Sequence, residues 1–192
     1  MIETLDDIRA DIASRLADAA ANRRNPLHTP IVATSDTDAR VMVVRAFDAG
    51  SWTLRFHTDV RSPKVVVIES NPAVGIVGYD RGEKLQLRLR GTASIERSTP
   101  LVDSAWANSD NFARRCYLGE GPGAVSDVPT SGLPKRFEGV EPTDEELLPA
   151  RTNFAILLVR IERADWFSLA HTGHRRAVFD LADGGGGRWV SP

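Results

Sequence analysis

The stretch RFHTDVRSPKVVV, residues 55–67, joins a strand pattern to a helix signal. Its first half alternates apolar and polar residues, as a half-buried strand does. Ser62 is a favourable helix N-cap and Pro63 a favourable first helical residue, so the β-branched residues that follow are predicted to form a short helix. Arg61 and Lys64 flank the Ser62 hydroxyl at this junction. Positive charge where a strand ends and a helix begins indicates an anion site, most naturally for phosphate.

Strand patterns continue on both sides of this junction. Short runs rich in β-forming residues are separated by turn-forming Asp and Gly, which predicts a series of antiparallel hairpins. The runs are TPIVATSD, RVMVVRAFD, WTLRFHTD, AVGIVGYD and KLQLRLRGTASIE, followed near the end by NFAILLVRIERADWFSL and RRAVFDL. Antiparallel strands at this density predict a closed or half-closed barrel.

Three other segments complete the predicted architecture. Residues 1–25 are predicted to form an N-terminal helix, with Thr4 and Asp7 spaced as a capping box and Arg23–Arg24 in the last turn. The run TPLVDSAWANSDNFARRCYLG is predicted to form a further helix. Residues 120–150 are rich in Gly, Pro and acidic residues, and a loop of that length inside a compact domain is usually functional or mobile.

The composition is typical of a globular domain and excludes several functions. The 192 residues suit one domain, and the net charge of −2 does not steer the molecule toward nucleic acid or a membrane surface. The N-terminus is acidic, unlike a secretory signal, and no apolar run approaches the roughly 20 residues of a membrane-spanning helix. The lone cysteine, Cys116, rules out an internal disulfide and fits a reducing cytoplasm. We expect it to be a small buried hydrophobe in a cytoplasmic protein.

The usual catalytic and metal-binding motifs are missing from the sequence. It contains no HExxH, CxxC, P-loop or GxSxG pattern, and the histidines at 28, 57, 171 and 174 lack metal-ligand spacing. No metal site is therefore predicted. The glycine run 184–187 has no helix after it, so a hairpin turn is a better interpretation than a dinucleotide-binding loop.

Cations and one amide lie on the polar faces of the predicted strands. Arg40 opens a strand after a tight turn, and Arg88 and Arg90 alternate with leucines in LQLRLR. A solvated polar face would explain that strand taken alone. Together with residues 61–64, however, these donors are predicted to form an anion site. Gln86 adds an amide that can both donate and accept, as the edge of a pyrimidine-like ring requires.

These motifs resemble the pyridoxamine 5′-phosphate oxidase superfamily, whose members are FMN-binding split β-barrels that work as homodimers. The segments that carry the resemblance are RVMVVRAFDAGSWTLRFHTDVRSPK, NP, LQLRLRGTASI and DW…HRRAVF…WVSP, in that order. The resemblance covers residues 28–95 and 154–192. It implies a mainly β fold with flanking helices, a six- to eight-stranded antiparallel split β-barrel that forms one FMN-binding domain over residues 1–192.

The resemblance also implies a set of cofactor-binding residues and an assembly. Trp166 and Arg176 match a C-terminal pair that completes the family's site from the partner subunit, which implies a homodimer with FMN at the subunit interface. The residues implied to bind FMN are Arg40, Val41, Met42, Val43, Arg45, His57, Thr58, Ser62, Lys64, Gln86, Trp166 and Arg176.

Several positions depart from the family pattern. Pro63 replaces the arginine of the family's Ser-Arg-Lys phosphate element, and Arg61 is a candidate to compensate. His57 stands where the family usually has tyrosine. His174 is retained as a candidate substrate-binding residue, whereas Thr172 replaces the arginine that holds the substrate phosphate in vitamin-forming oxidases. The chain therefore looks more like a divergent, oxidase-related branch, and we expect it to be a poor pyridoxamine 5′-phosphate oxidase.

The predicted function is that of an FMN-dependent oxidoreductase that passes hydride through the flavin to oxygen or another acceptor. Its small-molecule substrate is not specified by the sequence, and neither is the choice between FMN and a deazaflavin. No catalytic side chain is predicted, because the flavin carries the chemistry. The alternative is a non-catalytic carrier or sensor of the same fold that holds FMN, haem or another anionic cofactor. Binding of nucleic acid is disfavoured by the near-neutral charge and by an aromatic content of 7%.

Overall fold

The structure is a computed structural model that describes residues 4–182 and 185–192. Its α-helices are α1 (Leu5–Ala21), α2 (Pro63–Ser70), α3 (Pro100–Ala107), α4 (Asn111–Arg114) and α5 (Asp144–Leu147). Its strands are β1 (Ile31–Ala33), β2 (Ala39–Val41), β3 (Ala46–Asp48), β4 (Thr53–Asp59), β5 (Ala73–Asp80), β6 (Leu85–Glu96), β7 (Phe154–Ser168), β8 (Arg175–Asp180) and β9 (Gly186–Val190). Short 3₁₀ helices lie at Pro26–His28, Arg115–Leu118, Lys135–Phe137 and Leu148–Asn153.

The strands form one antiparallel sheet whose two ends are brought together by the chain. Along the sheet the order is β2-β1-β5-β6-β7-β4-β3, and β8 and β9 extend it from β7. The end strands β2 and β3 are joined by residues 42–45 alone, so their ends lie within about 18 Å of each other. The two ends are not paired with each other, so the barrel is split and not closed. The predicted mainly β fold with flanking helices is confirmed.

The predicted strand RVMVVRAFD is divided into β2 and β3 because its backbone changes partner. Met42 N–H donates to Pro30 O at 3.0 Å, on the β1 side of the sheet. Arg45 N–H donates to Arg55 O at 2.8 Å, in β4. This division contributes to a count of nine strands among the described residues, where six to eight were expected.

Helix α1 packs its apolar face on the sheet. The predicted capping box is present, because Thr4 Oγ1 accepts from Asp7 N–H and Asp7 Oδ2 accepts from Thr4 N–H, both at 3.1 Å. The helix ends at Ala21, since Asn22 leaves the helical region with a φ of −121°. Arg23 therefore lies beyond the last turn, and the predicted extent to residue 25 is wrong. The α1 residues buried in the main core are Ile8, Ile12, Leu16 and Ala19.

The segment TPLVDSAWANSDNFARRCYLG was predicted to be one helix, and the structure corrects this. Helix α3 ends at Ala107 and α4 begins at Asn111. Asp110 Oδ1 accepts from Ala113 N–H at 2.7 Å, so the carboxylate caps a new helix. Asp is a good N-cap and a poor residue for a helix interior, which explains the break.

Residues 120–150 end in regular structure that packs on a second small core. Helix α5 begins with a capping box between Thr143 and Glu146. Phe137, in the preceding 3₁₀ helix, is 2% exposed. This second core joins α3, α5, two of the 3₁₀ helices and the start of β7, and its buried residues are Val102, Ala105, Tyr117, Leu147, Ala150, Phe154 and Ile156.

The C-terminal strands form a hairpin of β8 and β9 beside β7. Gly186 and Gly187 of the glycine run belong to β9. Gly185 N–H donates to Asp180 O at 3.0 Å, and residue 184 of the predicted turn lies outside the described residues. In the part of the chain that the structure covers, no helix combines the length and apolarity needed to cross a membrane.

Candidate functional site

A cavity of about 330 Å³ lies beside residues 40–45, where the two ends of the sheet approach each other. We call it the split pocket. Met42 and Val44 are buried, and in this extended segment between β2 and β3 the alternating residues Val41, Val43 and Arg45 face outward. The predicted FMN-binding residues that line the pocket are Arg40, Val41, Met42, Val43, Arg45, His57, Thr58 and Lys64.

Two cations and a buried hydroxyl lie together at the start of α2. Ser62 is the N-cap residue, as predicted, but its hydroxyl makes no capping bond to the helix backbone. Ser62 Oγ instead accepts from Lys64 Nζ at 2.8 Å. Burial lowers the pKa of Lys64, and the charge of Arg40 lowers it further. Lys64 and Arg40 are therefore close enough to repel each other, and an anion between them would relieve that repulsion.

Arg40 is also held by its own hairpin. It forms an ion pair with Asp38 and donates to Thr34 Oγ1 at 2.9 Å. These contacts orient the guanidinium beside the pocket, and its pairing with an exposed aspartate leaves donors for a ligand. Arg40 is thus positioned by local contacts and not by the core.

His57 lies in the wall as a neutral imidazole. Its pKa is lowered from 6.5 to about 4, chiefly by burial and then by the charges of Arg45 and Arg55. The ring packs edge-on against Phe154 with 4.9 Å between centroids. Its Nε2 atom is buried and has no hydrogen-bond partner among the described residues. A neutral ring with one unpaired nitrogen is suited to bonding a polar ligand edge.

Arg61 does not take the place of the missing phosphate arginine. Its Nε donates to Asp59 Oδ1 at 2.9 Å and its second terminal nitrogen to Asp59 Oδ2 at 2.7 Å. The remaining terminal nitrogen donates to Gly119 O at 2.9 Å. The guanidinium therefore ties the end of β4 to the chain after α4, and it does not line the split pocket.

The second wall of the pocket was missed by sequence reasoning. It comes from the break after α3, from the end of α4 and from the chain that follows α4. Arg114 anchors this wall, because its Nε donates to Ser109 O at 2.8 Å and its guanidinium lies 5.3 Å from the Trp106 ring centre. A signal existed in Asp110, whose N-cap preference marks the break. The additional lining residues are Asp59, Ser109, Ala113, Arg114, Cys116, Tyr117 and Pro122.

Cys116 and Tyr117 are protonated residues in this wall. Cys116 is exposed at the pocket rim, so the prediction of a buried cysteine is wrong. Desolvation by the surrounding protein nevertheless raises the pKa of its thiol, and Asp59 raises it further. Burial raises the pKa of Tyr117 in the same way. Neither side chain is ionised at neutral pH, so this wall offers no thiolate nucleophile.

Trp166 does not lie at the split pocket or at an exposed surface. Its side chain is in the main core, with 4% of the residue exposed. Its indole Nε1 donates to Asp11 Oδ2 at 3.0 Å, beneath α1. An indole in this position has no face available for a flavin bound by another chain, so the predicted contact does not fit the structure.

The remaining predicted residues lie on the outer face of the sheet, away from the split pocket. Gln86 lies opposite Phe167, and Phe167 lies opposite Arg176 in the strand register. Arg176 donates to Asp165 at 3.0 and 2.7 Å. His174 is exposed, and its ring packs edge-on against Phe167 with 5.8 Å between centroids. Gln86, Arg176 and His174 therefore share one surface that the chain does not fold onto its own pocket.

Comparison with known proteins agrees with this architecture. Residues 10–97 match the family described as pyridoxamine 5′-phosphate oxidase, FMN-binding domain. A solved pyridoxamine 5′-phosphate oxidase-related, FMN binding protein from Nostoc punctiforme PCC 73102 is 24% identical, with a TM-score of 0.77 over 99% of this chain and 100% of that one. PhzG from Burkholderia lata 383 is 14% identical, with a TM-score of 0.67 over 95% of this chain and 91% of that one. No curated protein matches the sequence.

A third similar structure is more distant in sequence. A protein related to general stress protein 26 from Clostridium acetobutylicum is 11% identical, with a TM-score of 0.58 over 94% of this chain and 99% of that one. The class of fold is thus the split β-barrel of FMN-binding proteins. Residues 10–97 thus match the pyridoxamine 5′-phosphate oxidase FMN-binding domain family, and the whole chain shares the fold of the similar structures.

Proposed function

We propose that this protein is an FMN-dependent oxidoreductase that binds the cofactor in the split pocket and acts on a small molecule. The observation that carries the proposal is the convergence of residues 40–45, the end of β4 and Lys64 on one cavity. Its volume of about 330 Å³ lies within the range of roughly 300–1,000 Å³ that is usual for small-molecule sites.

The chemistry of the pocket fits a flavin mononucleotide. Lys64, Ser62 and Arg40 would hold the phosphate, because the two cations repel each other and Lys64 has no carboxylate partner among the described residues. His57 and the outward side of residues 41–43 would line the ring, with Nε2 of His57 free to bond a polar atom of the ligand. When bound, FMN supplies hydride acceptance and electron transfer to oxygen or another acceptor.

The chain's own residues would position the ligand and limit access of water. The second wall of the pocket, residues 109–122, closes one side with Tyr117, which is 8% exposed, and with Pro122; we call it the helical wall. Because the thiol of Cys116 and the phenol of Tyr117 stay protonated, they can donate hydrogen bonds but cannot act as anionic bases at neutral pH. This arrangement supports a role in binding and orientation, and no acid or base from the protein is assigned.

We further propose a homodimer in which the outer face of the sheet meets a second copy near its split pocket. Gln86 and Arg176 lie outside the chain's own pocket, and a partner chain would bring them toward a bound flavin. The same face exposes Val77 and Tyr79, which are 39% and 48% accessible. These apolar side chains lie beside the Asp165–Arg176 ion pair, and protein interfaces commonly combine apolar and charged side chains in this way. Light scattering should give twice the chain mass, and a monomer that binds FMN stoichiometrically would contradict this assembly.

Absorbance and mass spectrometry of the purified protein test the cofactor and the activity together. We expect a yellow protein that releases FMN, loses its visible flavin absorbance with an electron donor, and regains it in air. Release of a deazaflavin would correct the cofactor. Bound FMN that no donor can reduce would contradict the enzyme and support a carrier or sensor of the same fold.

A further inference from the structure

A separate cavity, of about 340 Å³, lies on the outer face of the sheet and shares no lining residue with the split pocket. In β6, Leu87 and Leu89 are buried, so strand alternation turns Arg88 and Arg90 to the outer face. Gly75 of β5 lies opposite Arg90, and the space where a side chain of Gly75 would stand is open, with no atom within 4 Å. We call this cavity the outer-face pocket, and its charged lining residues are Arg88, Arg90, Arg163, Asp165 and Arg176.

Two of these arginines face each other across neighbouring strands. Arg90 of β6 lies directly opposite Arg163 of β7 in the strand register, which puts their Cβ atoms about 4.5–5.5 Å apart. Asp180 follows Arg163 in the same row, but neither arginine makes an ion pair with it or with any other described residue. Like charges placed directly opposite each other destabilise a sheet. The facing pair therefore lacks a counter-ion in the part of the chain that the structure describes.

The acidic side chain that the structure places at the outer-face pocket is already shared by two arginines. Arg176 donates to both oxygens of Asp165, at 3.0 and 2.7 Å, and Arg88 forms a second ion pair with Asp165 Oδ2. Burial alone would raise the pKa of Asp165, yet the hydrogen bonds from Arg176 and Arg88 lower it, so the carboxylate stays ionised. Even so, Arg88 Nε is shielded from solvent and has no hydrogen-bond partner among the described residues.

The charges and donors at the outer-face pocket indicate the chemistry of an occupant. The charged side chains that the structure places there are four arginines and one aspartate, which favours an anion with more than one negative charge. Buried polar atoms in native proteins are nearly always paired. Because Arg88 Nε can only donate, its partner must be an acceptor. The planar donor fork of a guanidinium matches the oxygens of a phosphate or of a carboxylate.

The outer-face pocket is also separate from the place where the flavin of a second copy is expected. The proposed dimer brings Gln86 toward that flavin, and Gln86 precedes Arg90 by four residues in β6. Four residues of an extended strand span about 13 Å, and Gln86 does not line the pocket. Arg176 borders both regions, but Asp165 already accepts from two of its nitrogens. The facing arginines therefore need an anion other than the flavin.

We propose that the outer-face pocket binds a polyvalent oxyanion between Arg90 and Arg163, whether its oxygens belong to phosphate or to carboxylate groups. The anion removes the repulsion between the two facing guanidiniums and supplies an acceptor for Arg88. It also favours pairing of this face with a second copy, because it offsets the positive charge that the two copies bring together. That consequence for assembly rests on the proposed homodimer, whereas anion binding by the single chain does not.

Calorimetric titration of FMN-saturated protein tests the site while the split pocket is filled. Pyrophosphate and citrate serve as separate probes, and they distinguish phosphate oxygens from carboxylate oxygens. The variants are Arg90→Gln and Arg163→Gln, and the fold should survive because both side chains are exposed. The matched control is Arg81→Gln, since Arg81 is exposed in the β5–β6 turn and the same net charge is lost. For the probe that binds, each variant should weaken affinity about ten- to a hundred-fold, and the control by no more than about two-fold.

Stability and assembly give two further readouts. A ligand that binds only the folded chain stabilises it, so the thermal unfolding midpoint of the wild type should rise as the bound probe is added. Without an anion, Arg90→Gln should be at least as stable as the wild type, because it removes a repulsion between facing charges. In sedimentation, the probe should lower the dissociation constant of the wild-type dimer. Both effects of the probe should be lost when Arg90→Gln and Arg163→Gln are combined.

Two results would overturn the anion site. They are failure of both probes to bind the wild type, and affinities for Arg90→Gln and Arg163→Gln that equal the affinity for Arg81→Gln. A chain that binds the probe and stays monomeric would overturn the consequence for assembly alone.

A failure of the proposed function is distinguishable from a failure of the anion site. If the wild type does not bind FMN, the titrations are repeated on the apo-protein with Lys64→Ala as a further variant. Loss of probe binding in Arg90→Gln, with binding kept in Lys64→Ala, would then support the outer-face pocket. Loss in Lys64→Ala alone would place the anion in the split pocket and refute the proposal.

Discussion

The two walls of the split pocket are built by different means. The strand wall, residues 40–64, is fixed by backbone pairing and carries the cations. The helical wall, residues 109–122, is fixed by a helix break and by side-chain contacts such as Arg114 over the Trp106 ring. Its residues Cys116 and Tyr117 are neutral. We infer that the two walls have different roles: the strand wall holds the anionic part of a ligand, and the helical wall shapes the rest of the cavity.

The largest effect is expected where the two walls touch. The centroid of the Phe154 ring lies 4.9 Å from that of His57 and 5.2 Å from that of Tyr117. Phe154 is 1% exposed. Phe154→Ala should destabilise the protein by about 3–5 kcal/mol and weaken FMN binding as well. Urea unfolding and FMN titration measure the two effects. Phe112→Ala, at a residue 50% exposed, is the control and should cost about 1 kcal/mol or less; equal losses would show that Phe154 does not link the walls.

A smaller effect, confined to cofactor binding, is expected from the cations of the strand wall. Lys64→Ala and Arg40→Ala should each weaken FMN binding by about 1.5–3 kcal/mol, the range for hydrogen bonds to a charged group. The fold should survive because neither side chain belongs to the apolar core. Fluorescence titration of apo-protein with FMN measures the change, with Arg81→Ala as the charge-matched control. Unchanged affinity in both variants would place the phosphate elsewhere.

Substrate selection should follow the departure at Thr172. A neutral hydroxyl in place of an arginine loses about 1–3 kcal/mol of interaction with a substrate phosphate. The protein should therefore oxidise pyridoxamine and pyridoxine 5′-phosphates poorly when FMN is saturating. Steady-state oxygen consumption measures this activity, and Thr172→Arg is the variant expected to raise it. Activity comparable to a dedicated oxidase would show that another cation replaces the missing arginine.

The pH dependence of stability should report the buried position of His57 in the strand wall. Its pKa of about 4 in the folded state lies below the ordinary 6.5, so the unfolded chain binds more protons between these values. The contribution of His57 to the free energy of unfolding should therefore be fully present above pH 6.5. It should decrease as the pH falls toward 4, by at most about 3 kcal/mol. Urea unfolding at pH 7 and pH 4.5 measures the decrease, which His57→Gln should reduce. An equal decrease in the variant would assign the effect to other groups.

The sequence revealed the strand wall more completely than the helical wall, for a physical reason. Arg40–Arg45 and Ser62–Lys64 are close to the pocket because alternation and a helix start place them there, and both are local signals. The helical wall depends on where α3 breaks, and the apolar residues on either side of Asp110 suggested one continuous helix. Trp166 was misplaced because the direction of its indole is set by long-range packing on Asp11, which no local pattern encodes.

A crystal structure of the FMN-loaded protein would show directly whether the cofactor occupies the split pocket. We expect FMN in the split pocket, with its phosphate within hydrogen-bond distance of Lys64 and Arg40 and its ring system beside His57 and residues 41–43. FMN bound at another surface, or a phosphate that contacts neither cation, would contradict the assignment of the strand wall as the cofactor site.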